Sequence, residues 1–90
     1  METKLAKIKA DYSLDDLRLF RLVASLGSYS RAAEQSGIPL STLSRRIAAL
    51  ESALAIRLLE RNAHRLTLTR TGTEFLQRCA PLLDDLRQVT

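Results

Sequence analysis

The chain has 90 residues, enough for one small domain and too few for a second. Its 46% hydrophobic content supports a core, its 27% charged content is ordinary for a folded domain, and 4% aromatic residues without Trp leave no stock of base-stacking platforms. One Cys and one His can neither form a disulfide nor fill a metal tetrahedron, so no metal or cofactor is expected in this stretch, and this usage fits the cytoplasm.

Residues 1–12 carry Lys4, Lys7 and Lys9, with Leu5 and Ile8 as the large aliphatic residues among them. That is neither a signal peptide nor a membrane anchor, so a flexible soluble tail is expected. A first helix follows over about Leu14 to Leu26. Ser13 with Asp16 forms a capping-box pattern, and Asp15 and Asp16 suit the positive end of the helix. Leu14, Leu17, Phe20 and Ala24 recur at helical spacing, and Gly27 is a natural stop. A short second helix is expected over about Tyr29 to Ser36, opened by Ser28 or Ser30, with Ala32 and Ala33 small enough for close approach. Gly37 ends it. Pro39 pushes Ile38 out of helical geometry, so Gly37 to Leu40 reads as a tight turn between helices.

The third helix has the clearest pattern, from Leu40 or Ser41 to Ala55. Leu43, Ile47, Leu50 and Leu54 fall on one narrow stripe. Ser41, Arg45, Ala48 and Ser52 lie opposite, with Ser44 and Arg46 on the flanks. Two short arms come next, Leu58 to Arg61 and the alternating Leu66-Thr67-Leu68-Thr69, joined through Asn62-Ala63-His64-Arg65. A two-stranded hairpin is marginal alone and must pack on the helices. A fourth helix should begin between Thr69 and Gly72, where Thr71 and Glu74 form a second capping-box pattern. Along it Phe75, Cys79, Leu82, Leu86 and Val89 are spaced 4, 3, 4, 3. This heptad seam suits pairing with a second copy, with packing on the first helix as its rival. Pro81 inside the seam should kink or break the helix by removing a backbone donor and crowding the carbonyl of Gln77.

Charge is unevenly spread. Of the formal net +4, residues 1–39 contribute +1, residues 40–70 contribute +4 and residues 71–90 contribute −1. The central cations are all arginines: Arg45, Arg46, Arg57, Arg61, Arg65 and Arg70. Arginine's planar donor fork matches phosphates and guanine edges, and an isoelectric point near 9.8 favours a polyanionic partner. Three short helices with a tight turn before the third make a helix-turn-helix, and the hairpin adds a wing. The expected fold is therefore mainly α, a winged helix-turn-helix over residues 13–70, with residues 71–90 as a linker and dimerisation helix. A major groove about 12 Å wide admits one helix, and the third helix has both an apolar face to grip its scaffold and a face free of acids near its start. The wing tip, His64 and Arg65 backed by Arg61, suits a minor groove or its phosphates.

At these residues the chain resembles the LysR-type bacterial transcription regulators. The matching residues are Leu17-x-x-Phe20, Gly27-Ser28-Tyr29-Ser30-Arg31-Ala32-Ala33, Leu43-Ser44-Arg45-Arg46-Ile47, Leu50-Glu51, Leu58-Leu59-Glu60-Arg61 and Leu66-Thr67-Leu68-Thr69-x-x-Gly72, in that order along residues 13–90. The resemblance implies sequence-specific binding of double-stranded DNA by a cytoplasmic transcriptional regulator. It implies base reading by Leu40, Ser41, Ser44 and Arg45. Backbone and wing contacts would come from Ser28, Ser30, Arg31, Arg46, Arg61, His64 and Arg65. It also implies a homodimer through the fourth helix, with scope for a tetramer in full-length chains, whose small-molecule effector binds a further domain. Leu40 and His64 depart from the residues frequent in the family.

Two other readings compete. A winged-helix domain that docks proteins instead of DNA would carry acids or an apolar patch on the outer face of the third helix, where this chain has Arg and Ser. An enzyme would need a nucleophile with its base, clustered carboxylates or a phosphate-cradling glycine loop, and the sequence offers none of these as a set.

Overall fold

A computed structural model of the chain describes residues 12–62 and 65–89. The expected tail before Tyr12 and the wing-tip His64 lie outside the described residues. In chain order the elements are α1 (Leu14–Leu26), α2 (Tyr29–Ser36), α3 (Leu40–Leu54), β1 (Leu59–Asn62), β2 (Arg65–Leu68) and α4 (Arg70–Val89).

Local chemistry sets most boundaries. Ser13 and Asp16 close the expected capping box: the Ser13 side chain accepts from the Asp16 N–H at 3.2 Å, and an Asp16 carboxylate oxygen accepts from the Ser13 N–H at 3.1 Å. Ser28, not Ser30, caps α2 by accepting from the Arg31 N–H at 3.1 Å. Gly27 and Gly37 end α1 and α2 in the left-handed conformation, at φ 65° and 77°. Ala55 does the same for α3 at φ 58°, a conformation that costs a residue with a Cβ about 1–2 kcal/mol.

The three-helix core closes around Phe20 and Val23 of α1, Ala32 of α2, and Leu43, Ile47 and Leu50 of α3, all fully buried. Leu54, expected on the same α3 stripe, is only partly covered. β1 and β2 pair antiparallel, with Leu59 opposite Leu68 and Arg61 opposite Leu66. Leu58 and Leu59 carry the base of this wing into the core. The strands sit one residue away from the expected arms: β1 runs one residue later and β2 starts and ends one residue earlier.

The fourth helix meets one expectation and departs from two. Its start falls between Thr69 and Gly72 as expected, on Thr69 and not on the Thr71 capping box: the Thr69 hydroxyl accepts from the Gly72 N–H at 2.8 Å. It runs through Pro81 without a break. Gln77 and Pro81 are both exposed, so solvent can satisfy the carbonyl that Pro81 leaves without a donor. The seam is also split. Phe75 packs toward α1, its ring centroid 6.0 Å from that of Phe20, and Cys79 is half-buried. Leu83 is buried while the expected Leu82 is 64% exposed. An Arg21–Asp84 ion pair at 2.9 Å also joins α4 to α1. The inward stripe thus follows the 3.6-residue period of a helix lying on its own domain. Only Leu82 among the four seam residues with described side chains is left open; that of Val89 lies outside the description.

Candidate nucleic-acid interface

The core stripe fixes how α3 presents its other sides. With Leu43, Ile47 and Leu50 inward, the 100° step per residue turns Ser41 and Arg45 directly outward. Arg45 is exposed, and no side-chain hydrogen bond or ion pair holds it among the described residues. Leu40 and Ser44 fall on one flank. Arg46 falls on the other.

The Arg46 flank is engaged within the fold. Its Nε donates to Asp16 at 2.8 Å, and a terminal nitrogen lies 2.7 Å from Asp16 and 3.2 Å from Asp15. The bond to Asp16 raises the Arg46 guanidinium above its ordinary value, so this charge is permanent. Arg46, expected on the DNA backbone, forms a strut between α3 and the start of α1. No local sequence signal showed this, because the partners lie about thirty residues apart.

The opposite flank borders open space. A groove of about 560 Å³ runs between the start of α2, the start of α3 and the wing, lined by Gly27, Ser28, Tyr29, Ser30, Leu40, Ser41, Ser44, Arg61, Arg65 and Leu66. No acidic side chain lines it. Most candidate residues from three separate stretches of sequence therefore meet at one surface. Arg31 and Arg45 stand outside the groove and are exposed. The serines divide in the same way. Ser13, Ser25, Ser28 and Ser36 are used locally, whereas the side chains of Ser30, Ser41 and Ser44 have no hydrogen-bond partner among the described residues. Ser28 accepts as a cap, which leaves its hydroxyl hydrogen free to donate.

Two residues that sequence reasoning missed organise this surface. The Tyr29 ring lies beneath the Arg61 guanidinium, 5.5 Å from centroid to Cζ, in cation–π contact. Arg61 thus rests on an aromatic face, with no ion pair to a carboxylate among the described residues. Burial pushes the Tyr29 phenol above its ordinary pKa, Glu51 adds to that, and Arg61 opposes it. Glu51 turns from the groove to the wing base, where one carboxylate oxygen accepts from the N–H groups of Leu58 and Leu59 at 2.8 and 3.1 Å. A mid-helix Glu two residues before an Ala-Leu-Ala run gives no local sign of that role.

Among the described residues no cluster of His, Cys, Asp and Glu could hold a metal ion, and no helix is long and apolar enough to cross a membrane.

The pattern that builds this surface is shared. A sequence model of the bacterial regulatory helix-turn-helix proteins of the lysR family matches residues 14–73. The chain belongs to the LysR family. DmlR, a transcriptional regulator of Escherichia coli K12, is 37% identical over 76 residues, which is 84% of this chain and 25% of DmlR. The structure of full-length AphB, a virulence activator of Vibrio cholerae, superposes with a TM-score of 0.80 at 49% identity, over 86% of this chain and 27% of AphB. The BenM DNA-binding domain in its catB site 1 DNA complex gives a TM-score of 0.81 at 36% identity, over 86% of this chain and 83% of that one. This LysR-family chain spans about a quarter of the length of the curated relatives it matches. Those relatives are transcriptional regulators, and the matched region is the winged helix-turn-helix DNA-binding domain of the family.

Proposed function

We propose that this domain binds double-stranded DNA sequence-specifically for a transcriptional regulator, acting in the cytoplasm, and that its surface divides the work as follows. The first two turns of α3 enter the major groove, with Ser41, Ser44 and Arg45 toward base edges and Leu40 at the leading end. Ser28, Ser30 and Arg31 at the start of α2 hold a phosphate. Arg61, His64 and Arg65 serve the neighbouring minor groove or its phosphates. Arg46 holds α3 in place from behind. A second copy pairs through α4 about Leu82, and effector control in a longer chain would reach the DNA through that helix.

The observation that carries this reading is the acid-free groove, where unbonded hydroxyls from two helices meet two wing arginines. Protein docking, the competing function, has no such support: the outer face of α3 offers Ser41, Arg45, Ala48 and Ser52, without an acid or an apolar patch.

The test is selection of bound duplexes from a random-sequence pool, followed by salt titration. An interrupted palindrome is expected, with log K falling by about 0.9 per phosphate contacted for each decade of salt. Arg45→Ala should weaken the selected duplex by about 1–3 kcal/mol and relax base choice at one position per half-site. An Arg45→Ala protein that binds the selected duplex as well as the parent would refute the assignment of α3.

A further inference from the structure

Three large apolar side chains stand open among the described residues: Leu14, Leu40 and Leu82, exposed by 50%, 48% and 64%. Solitary exposed leucines are ordinary on protein surfaces. Leu14 and Leu82 lie outside the groove, but Leu40 is part of its wall. There it stands among Ser30, Ser41, Ser44, Arg61 and Arg65, groups suited to phosphates and base edges. A phosphate offers a leucine nothing, so backbone binding does not account for an apolar group at this place.

The geometry of α3 narrows the choice of partner. Leu40 is its first residue, and Ser44 is one turn on, on the same flank. The opposite flank is tied to α1 by Arg46, so the helix cannot roll Leu40 away from the groove without breaking that strut. In the major groove of a duplex the apolar group on offer is the C5 methyl of thymine, and beside it on the same base edge lies the O4 acceptor. A leucine and a hydroxyl one turn apart match that pair of groups. We infer that Leu40 packs on a thymine C5 methyl in the target, with Ser44 donating to O4 of the same base. This rests on the DNA-binding reading above and adds the identity of a base.

The selected duplexes are remade with uracil replacing each thymine in turn, which removes the methyl and leaves O4. At the thymine that Leu40 reads, uracil should weaken binding about fourfold, the worth of one buried methyl. In Leu40→Ala the same uracil should change affinity by less than about twofold, since the contact it removes is already gone. Leu40 lies outside the buried core, so the variant keeps the fold. Leu40→Gln should move the preference at that position toward adenine, whose N6 and N7 an amide can pair. With cytosine in place of that thymine, a C5 methyl should restore affinity to the parent protein and not to Leu40→Ala, which isolates the methyl from O4. Uracil tolerated at every thymine, or a penalty that persists undiminished in Leu40→Ala, overturns the inference and leaves DNA binding standing. Failure to enrich any duplex overturns DNA binding itself, and this inference with it.

Discussion

Replacing Gly72 by alanine should unsettle the joint between the wing and α4. By helix propensity alone the change should help, since Gly in a helix is worse than Ala by about 0.5–1 kcal/mol. The surroundings reverse that sign. A Cβ on Gly72 would lie 2.1 Å from the carbonyl oxygen of Leu58, 2.9 Å from its carbonyl carbon and 3.0 Å from its Cα. All three are backbone atoms, so no side chain can swing aside. Leu58 is itself pinned, with a fully buried side chain and an N–H held by Glu51. Relief requires α4 to withdraw by about 1.3 Å or more to reach ordinary contact. That strains two bonds at the joint, from the Thr69 N–H to Leu58 O at 3.0 Å and from the Gly72 N–H to the Thr69 hydroxyl at 2.8 Å. Overpacking of this kind costs about 1–3 kcal/mol, and each weakened bond adds about 0.5–1.5 kcal/mol. Net of the propensity gain, a loss of about 1–5 kcal/mol is expected, a large share of what holds a domain of this size. At about 4–8 °C per kcal/mol, the far-UV circular dichroism melt should fall by at least about 4 °C. A Gly72→Ala protein that melts within about two degrees of the parent, or above it, would refute the close approach of Leu58.

Other changes probe different joints. Arg46→Ala should cost about 1 kcal/mol in urea unfolding, because solvent still reaches 31% of its side chain, and should leave the salt slope of DNA binding unchanged. Asp16→Ala should cost about 1 kcal/mol more than Arg46→Ala, because Asp16 also closes the capping box of α1. Arg61→Ala and Arg65→Ala should each lower the salt slope by about 0.9 while leaving base preference intact in the random-pool assay. Burial pushes the Cys79 thiol above its ordinary pKa, so less of it is thiolate near neutral pH. Iodoacetamide should therefore alkylate Cys79 more slowly in the native chain than in urea, and equal rates would show that the thiol is not shielded.

What the sequence disclosed were features whose cause lies within one turn or one strand. The capping box at Ser13, the stops at Gly27 and Gly37 and the buried stripe of α3 all follow from neighbours three or four residues apart. The start of α4 shows the limit of that logic. Thr71 with Glu74 has the spacing of a cap, yet Thr69 takes the role because its hydroxyl also reaches the carbonyls of Arg57 and Leu58 across the wing base. Leu82 and Leu83 show it again. The heptad reading chose Leu82, whereas the structure buries its neighbour Leu83. Of the interface, the residue types were legible and their assembly was not. Serines and arginines were visible on each segment. Which hydroxyls stay free, and which arginine an intramolecular carboxylate claims, depends on contacts that cross from one segment to another.

Those crossing contacts explain how the two elements proposed to face DNA can act as one. Glu51 binds the wing base from the C-terminal half of α3, Tyr29 supports Arg61 from the start of α2, and Arg46 ties α3 to α1. None of the three is among the base-reading residues proposed for the start of α3, the turn that carries Leu40 and Ser41 and the one that follows it. Each fixes the angle or distance between those turns and the wing. A duplex meeting this surface encounters two grips at a set separation, so little conformational freedom remains to be lost on binding. Glu51→Ala offers the sharpest test of that coupling. It leaves Leu40, Ser41, Ser44 and Arg45 untouched but frees the N–H groups of Leu58 and Leu59. The expected result is weaker binding with a smaller salt slope and an unchanged consensus, as the wing loses its set position. A changed consensus with a full salt slope would mean that Glu51 acts on α3 itself, and the rigid coupling of helix and wing would have to be abandoned.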